Sequence, residues 1–259
     1  MVVNQPLASS MVVADPARTE LKLSIAGADA RRARKRLGLR KRDAERATIW
    51  FCDEARRTAD GVHFDLFDRG VIVRLRHKRG RGQDSDTTVK FRREAPLVLP
   101  DGWDPEGVPD VKIEGDWTAH SRSVGVSVDA SASGRAIDRA GDAGRPHARL
   151  FSADQRRFAA AVLAPGPSDL TALRTLGPID ARRWDAPRRG LGIDVVAEQW
   201  RTGDLEFLEL SVRVPTDEAE DWMRRLSEWA AEAGLAVQER GKTKTAAVLE
   251  YLADVDGNE

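Results

Sequence analysis

The sequence predicts an α+β domain built on an antiparallel, closed or nearly closed β-barrel, with helices packed outside it. Three observations carry this expectation. Arg18, Glu20 and Lys22 alternate with Leu21, Leu23 and Ile25 at the two-residue period of a strand, so one face is charged and the other apolar. The same alternation recurs around Arg74 and Arg76, Lys90 and Arg92, Lys112 and Glu114, and Glu209 and Arg213, and charge on one face of so many strands calls for a shared polar interior. Late in the chain, Ala219, Trp222, Met223, Leu226, Trp229, Ala230 and Ala233 form one apolar helical stripe, which predicts a helix lying on the outside of that barrel.

Composition sets the limits. The chain has 259 residues, 41% hydrophobic and 32% charged, which suits one large folded domain or two small ones; residues 18–252 are read as a single domain, 1–17 as a flexible leader and 253–259 as a tail. Basic and acidic residues number 42 each, so bulk charge gives no reason to expect nucleic acid or an anionic membrane as partner. Anion affinity has to come from local arrangement. A single cysteine, Cys52, rules out an intrachain disulfide and a multi-cysteine zinc site, and suits a reducing cytoplasm. No apolar run is long enough for a helical membrane span, and the N-terminus lacks a basic segment followed by a long apolar core.

After the first strand, Asp29 is placed to cap a helix over 30–37 that Gly38 ends. Its surface carries Arg31, Arg32, Arg34, Lys35 and Arg36, with Arg40, Lys41 and Arg42 beyond; this is a solvated face or a docking patch, and no aromatic residues interleave to stack bases. Strands are expected near 46–53, 62–67, 70–79 and 86–93, a meander whose 79–84 loop lacks the Gly-Lys-Ser/Thr and following helix of a phosphate loop. A Pro- and Gly-rich excursion at 96–109 leads to the strand of Lys112 and Glu114. Residues 118–146, rich in Ser, Ala, Gly and Asp, read mainly as a flexible loop, although Val124, Val126 and Val128 fit a short strand. Ser152 and Gln155 match a capping box opening a helix to Leu163, and Ser168 starts a second short helix ending at Gly177. A hairpin of 192–199 and 205–214 turns at 201–204, and Thr216 caps the striped helix over 217–233 before Gly234.

The order of these strands resembles the CYTH domain, the triphosphate tunnel metalloenzyme family, which opens on Glu-x-Glu-x-Lys. Here that signature reads Arg18-x-Glu20-x-Lys22, followed by Ile49 to Asp53, the basic strand from Gly70 to Arg76, Lys90, Glu114, Glu209, and the 242–244 Lys-Thr-Lys stretch. The resemblance covers about residues 18–252. It implies a tunnel that binds a tri- or polyphosphate-bearing anion and hydrolyses it with Mg²⁺ or Mn²⁺, with Glu20 and Lys22 in catalysis. Inorganic triphosphate, polyphosphate, a nucleoside triphosphate and thiamine triphosphate are the implied ligands.

A triphosphate carries about four negative charges, and each nearby cation contributes on the order of 4 kcal/mol of raw attraction at an effective dielectric of about 20. Lys22, Arg74, Arg76, Lys90, Arg92, Lys112 and Lys244 are the expected phosphate ligands, arginine adding forked geometry. A hard divalent ion wants several carboxylates, and Glu20, Glu114 and Glu209 have the required parity, with Asp194 and Glu198 as further candidates on the neighbouring strand. Two carboxylates expected from the resemblance are replaced, by Arg18 and Ser211. The alternative is therefore a tunnel that binds phosphates without cleaving them. His63, His77, His120 and His147 have no zinc-ligand spacing, and Cys52 sits in an apolar strand as a core residue.

Overall fold

In the computed structural model of the chain, the described residues are 16–80, 84–100, 103, 105, 107–166, 168–186, 190–238 and 241–256. Most of the expected leader, the 81–83 tip of the loop and part of the 96–109 excursion lie outside them.

The chain opens with β1 (Arg18–Ala26) and α1 (Gly27–Arg36), then β2 (Glu45–Asp53) and a small hairpin of β3 (Ala55–Thr58) and β4 (Gly61–Phe64). Next come β5 (Val71–Arg79), β6 (Ser85–Glu94), β7 (Val111–Trp117) and β8 (Arg122–Ala132), followed by α2 (Gly134–Asp142) and α3 (Ala153–Leu163). The last third holds β9 (Arg174–Ala186), β10 (Val195–Thr202), β11 (Leu205–Pro215), α4 (Ala219–Glu232) and α5 (Lys244–Asp256). All strands except the β3–β4 hairpin close into one barrel in the order β1-β11-β10-β9-β2-β5-β6-β8-β7. Every pairing is antiparallel but the last, where β7 returns to β1 in parallel over the short stretch from Thr19↔Gly115 to Leu21↔Trp117.

Alternation along the strands separates two worlds. Outward-facing side chains feed two apolar cores: Val73, Leu75, Val89, Val126 and Val128 pack under α2 and α3, and Leu21, Leu23, Ile25, Leu208 and Leu210 pack under α1 and α4. The α4 stripe behaves as expected, with Ala219, Met223, Leu226 and Ala230 buried and Gly234 at φ 62 ending the helix. A third apolar core lies on the inner face of the wall. There Ile49, Phe51, Ile179, Trp200 and Phe207 meet Val248, Leu249 and Leu252 of α5. This helix, absent from the sequence reading, fills the interior rather than packing outside.

Several expectations need correction. Residues 118–146 are not a loop: they hold β8 and α2. The small residues that suggested a loop are those facing the crowded interior, and a Cβ at Gly125 would lie 2.4 Å from Cε of Lys90. The short helix expected from Ser168 to Gly177 is replaced by the thirteen-residue β9, whose Gly177 and Pro178 sit where the register with β2 shifts between Ile49 and Phe51. Residues 62–67 form β4 and a turn outside the barrel. Asp29 lies in the first turn of α1 but does not cap it; the helix starts at Gly27 and Asp29 accepts from Arg32 instead. Thr216 begins a 3-10 turn ahead of α4, and its hydroxyl meets Thr19 (2.9 Å) rather than capping α4. The capping box at Ser152 and Gln155 is present, and the Gln155 amide additionally donates to the carbonyls of Thr87 (2.9 Å) and Val128 (3.0 Å), fastening α3 to the barrel.

The basic helix α1 uses its charges internally. Arg31 donates to Glu206 (3.0 Å), Arg34 to the Leu39 carbonyl (2.8 Å) and Arg36 to the Gly234 carbonyl (2.8 Å).

Candidate anion-binding lumen

The pairing register assigns the charged residues to one side of the wall. On β1, Glu20 and Lys22 stand across from Arg213 and Ser211 of β11; on β5, Arg74 and Arg76 stand across from Thr88 and Asp86 of β6. Thr88 and Lys90 then face Asp129 and Ser127 of β8, and Lys112 faces Ser127 from β7. Every predicted phosphate ligand on a strand, namely Lys22, Arg74, Arg76, Lys90, Arg92 and Lys112, thus projects into the lumen. Lys244 arrives from the first turn of α5. Lys78 and Arg213 share this face, as do Arg18 and Arg183.

The cations are paired. Lys22 Nζ donates to Asp116 (2.9 Å) and lies 3.0 Å from Glu20. Lys90 donates to the other oxygen of Asp116 (3.1 Å), and Arg92 lies 3.5 Å from it. Arg76 forks onto Asp86 through Nε and Nη2 (2.8–3.1 Å), with Lys78 at 3.1 Å and Arg74 at 3.7 Å from the same carboxylate. Arg74 also donates to Thr88 (3.0 Å), Thr88 to Asp129 (2.7 Å), and Lys112 to Asp129 (2.6 Å). Lys244 donates to Glu198 (2.8 Å), lies 2.9 Å from Glu209 and sits 3.9 Å over the Trp200 ring. Acids share this face of the wall with the bases: Lys22, Arg74, Arg76, Lys78, Lys90, Arg92, Lys112, Arg213 and Lys244 stand among Glu20, Asp86, Glu114, Asp116, Asp129, Glu198 and Glu209, and Arg18, Arg183, Glu45, Glu94 and Asp185 have the same parity.

Burial opposes charge on all of these groups, and the neighbours decide which way each one moves. Asp116 is buried, yet Lys22, Lys90 and Arg92 hold its carboxyl well below the usual range. Burial would lower Lys22, but Asp116, Glu20 and Glu209 raise it above an ordinary lysine. Lys90 moves down instead, because burial is joined by repulsion from Lys22 and Arg92. Arg74 is lowered by burial and by Arg76 beside it, and its Nε is buried without a hydrogen-bond partner.

Of the predicted metal ligands, Glu20 and Glu114 are brought to one arginine, Arg213, while Glu209 pairs with Lys244. Glu20 is engaged by Lys22 and by Arg213 (3.5 Å), Glu114 by Arg213 (3.4 Å), and Glu209 by Lys244, while Asp194 is exposed ahead of β10. Among the described residues no three Asp, Glu, His or Cys side chains are grouped so as to hold a metal ion. Glu20, Glu114 and Glu209 thus each face a protein cation in this structure. The acids that organise the lumen, Asp86, Asp116 and Asp129, were missed from the sequence. Their signal was available, since Asp86 and Asp116 share strand parity with Lys90 and Glu114. Cys52 is buried, and burial with Asp53 beside it pushes its thiol up, consistent with a core residue.

A cavity of about 220 Å³ reaches Lys22 and Ser24 where β7 and β1 part company after Leu21, lined also by Thr118, His120, Gln238 and Thr243. No described helix is long and apolar enough to cross a membrane.

No protein-family model and no curated protein sequence matches the chain. Solved structures do. HpAC1 from Hippeastrum, a candidate adenylyl cyclase with a dominant triphosphatase activity, superimposes with a TM-score of 0.53 at 16% identity, over 89% of this chain and 94% of its own. A candidate adenylate cyclase from Bacillus halodurans also gives a TM-score of 0.53, at 12% identity, over 89% of this chain and 98% of its own. The chain therefore has the CYTH-like tunnel fold.

Proposed function

We propose that the lumen binds a tri- or polyphosphate-bearing small anion. The observation that carries this reading is the convergence of Lys22, Arg74, Arg76, Lys90, Arg92, Lys112 and Lys244 into one interior, from four strands and a helix, in a chain with no net charge. Arginine forks and lysine ammoniums supply the donors that phosphate oxygens accept. A reducing cytoplasm, where nucleotides and inorganic polyphosphates occur, suits the lone buried Cys52.

A second reading, hydrolysis of the bound anion with Mg²⁺ or Mn²⁺, is favoured by the triphosphatase activity of HpAC1, which shares the fold. Glu20 and Lys22 would act at the reacting phosphate in that case. The engagement of Glu20, Glu114 and Glu209 by protein cations favours binding over hydrolysis in this chain.

Calorimetry with inorganic triphosphate, thiamine triphosphate, ATP and long polyphosphate, each with and without Mg²⁺ or Mn²⁺, tests the reading, with phosphate release followed in parallel. Binding without metal is the expected result, and the absence of binding by all four anions would overturn it. Metal-dependent phosphate release would establish the second reading.

A further inference from the structure

Two lumen carboxylates each hold three cations, and the stoichiometry is the informative feature. Asp116 is met by Lys22, Lys90 and Arg92, and Asp86 by Arg74, Arg76 and Lys78. A structural ion pair needs one partner per charge. At the Lys244 tie the ratio is reversed, one ammonium between two carboxylates.

We infer that Asp116 and Asp86 are resident counter-anions that occupy two phosphate seats and compete with the ligand, so that the lumen admits tri- and polyphosphates and rejects orthophosphate. This rests on the reading that the lumen takes a phosphate-bearing anion. Each carboxylate is covalently part of the wall, so it competes at the high effective concentration of an intramolecular ligand. A dissolved orthophosphate brings one group to displace it. A triphosphate brings several linked groups and about four charges, so it meets more than one cation of the lumen at a time, and a longer polyphosphate reaches both sets. The discrimination is thus built from an internal competitor, a form of selection against the weaker anion.

Three further observations agree. The cations around Asp116 retain 17–24% side-chain exposure while the carboxylate itself keeps 5%, so an incoming anion can reach the bases. Arg74 has a buried Nε with no partner, a donor that Asp86 leaves unused. Asp86 and Lys90 lie on the same inward row of β6, four residues and therefore about 13 Å apart, with Thr88 between them, so the two sets form one track.

The test compares wild type with Asp116→Asn and Asp86→Asn by calorimetry against orthophosphate and inorganic triphosphate. Asp138→Asn removes one acid from outside the lumen and serves as a charge control. In wild type, orthophosphate should bind at least 100-fold more weakly than triphosphate; each lumen variant should bind orthophosphate at least 10-fold more tightly than wild type, and the control should not. Sulfate should also raise the melting temperature of the two lumen variants more than that of wild type. Asp86 is the more exposed of the two, which keeps a foldable variant available should Asp116→Asn not fold. Wild type binding triphosphate, with both lumen variants no tighter for either anion, would overturn the counter-anion role alone. Variants that bind orthophosphate beside a wild type that binds no triphosphate would support the counter-anion role of the two carboxylates and overturn both the admission of triphosphate and the proposed function. No binding by any of the proteins overturns both.

Discussion

Lys244 and Glu198 meet at 2.8 Å inside the barrel, and this bond ties the C-terminal helix to the inner face of the wall. The ammonium also serves Glu209 at 2.9 Å, so one cation neutralises two carboxylates that face the lumen. Replacing Lys244 by Met should leave both uncompensated and destabilise the fold by about 3–5 kcal/mol, as removal of one partner of a buried pair does. Urea unfolding measures this; a change under about 1 kcal/mol would show that α5 is held by its apolar contacts alone.

Glu198 makes that tie sensitive to acid. Burial would raise its pKa, but Lys244, Arg74 and Arg76 bring it down to about 2. A carboxylate depressed in the folded state contributes stability above its unfolded pKa near 4.5 and loses it as the pH falls toward 2. Stability should therefore drop between pH 4.5 and 2, with a shallower drop in Glu198→Gln. Equal acid slopes in the two proteins would assign the loss to other groups.

Gly125 gives Lys90 its room. A Cβ there would lie 2.4 Å from Lys90 Cε and 3.2 Å from Nζ, and the flexible end of the lysine would have to move. Gly125→Ala should weaken triphosphate binding by about tenfold, roughly 1.4 kcal/mol, and change stability less. Affinity equal to wild type would mean that Lys90 is not a ligand in its present position.

Arg76→Ala and Lys90→Ala should each weaken triphosphate binding by roughly 1–3 kcal/mol, the range for loss of a charged hydrogen-bond partner. Lys90 adds a pH signature. Burial, Lys22 and Arg92 lower its pKa from 10.5, so anion affinity should decline as the pH rises through that lowered value, and Lys90→Arg should flatten the decline. Flat profiles for both proteins would sink the assignment.

Arg213 bridges Glu20 (3.5 Å) and Glu114 (3.4 Å), so a protein cation stands where the resemblance places a metal. Arg213→Ala should release both carboxylates and strengthen Mn²⁺ binding by about tenfold, because the repulsive charge is removed. Titration of Mn²⁺ by electron paramagnetic resonance measures it, and an unchanged affinity would show that these glutamates are not poised for a metal.

The polar barrel could be read before folding because the strand period is two. Once Leu21, Leu23 and Ile25 must be buried, Glu20 and Lys22 have only the opposite face, and the same logic placed Arg74, Arg76, Lys90, Arg92 and Lys112 in one interior. Local chemistry was equally legible at Ser152 and Gln155, and at Gly203 and Gly234, where capping and turn rules act within a few residues. Only the tertiary structure decided the rest. Residues 122–132 became a strand because β6 and β7 on either side complete its hydrogen bonds and the Lys90 side chain lies over Gly125, neither of which is a local property. β9 follows the same rule, its arginines and its Gly177–Pro178 step accommodated by a register shift against β2. The partners of the cations also depended on the closed wall. Asp116 and Lys90 are 26 residues apart, and Lys244 and Glu198 are 46, distances along the chain that periodicity cannot relate. Parity assigns a side chain to a face; closure of the barrel assigns it a neighbour, and the neighbour decides whether a charge is a free ligand, a structural tie or a counter-ion.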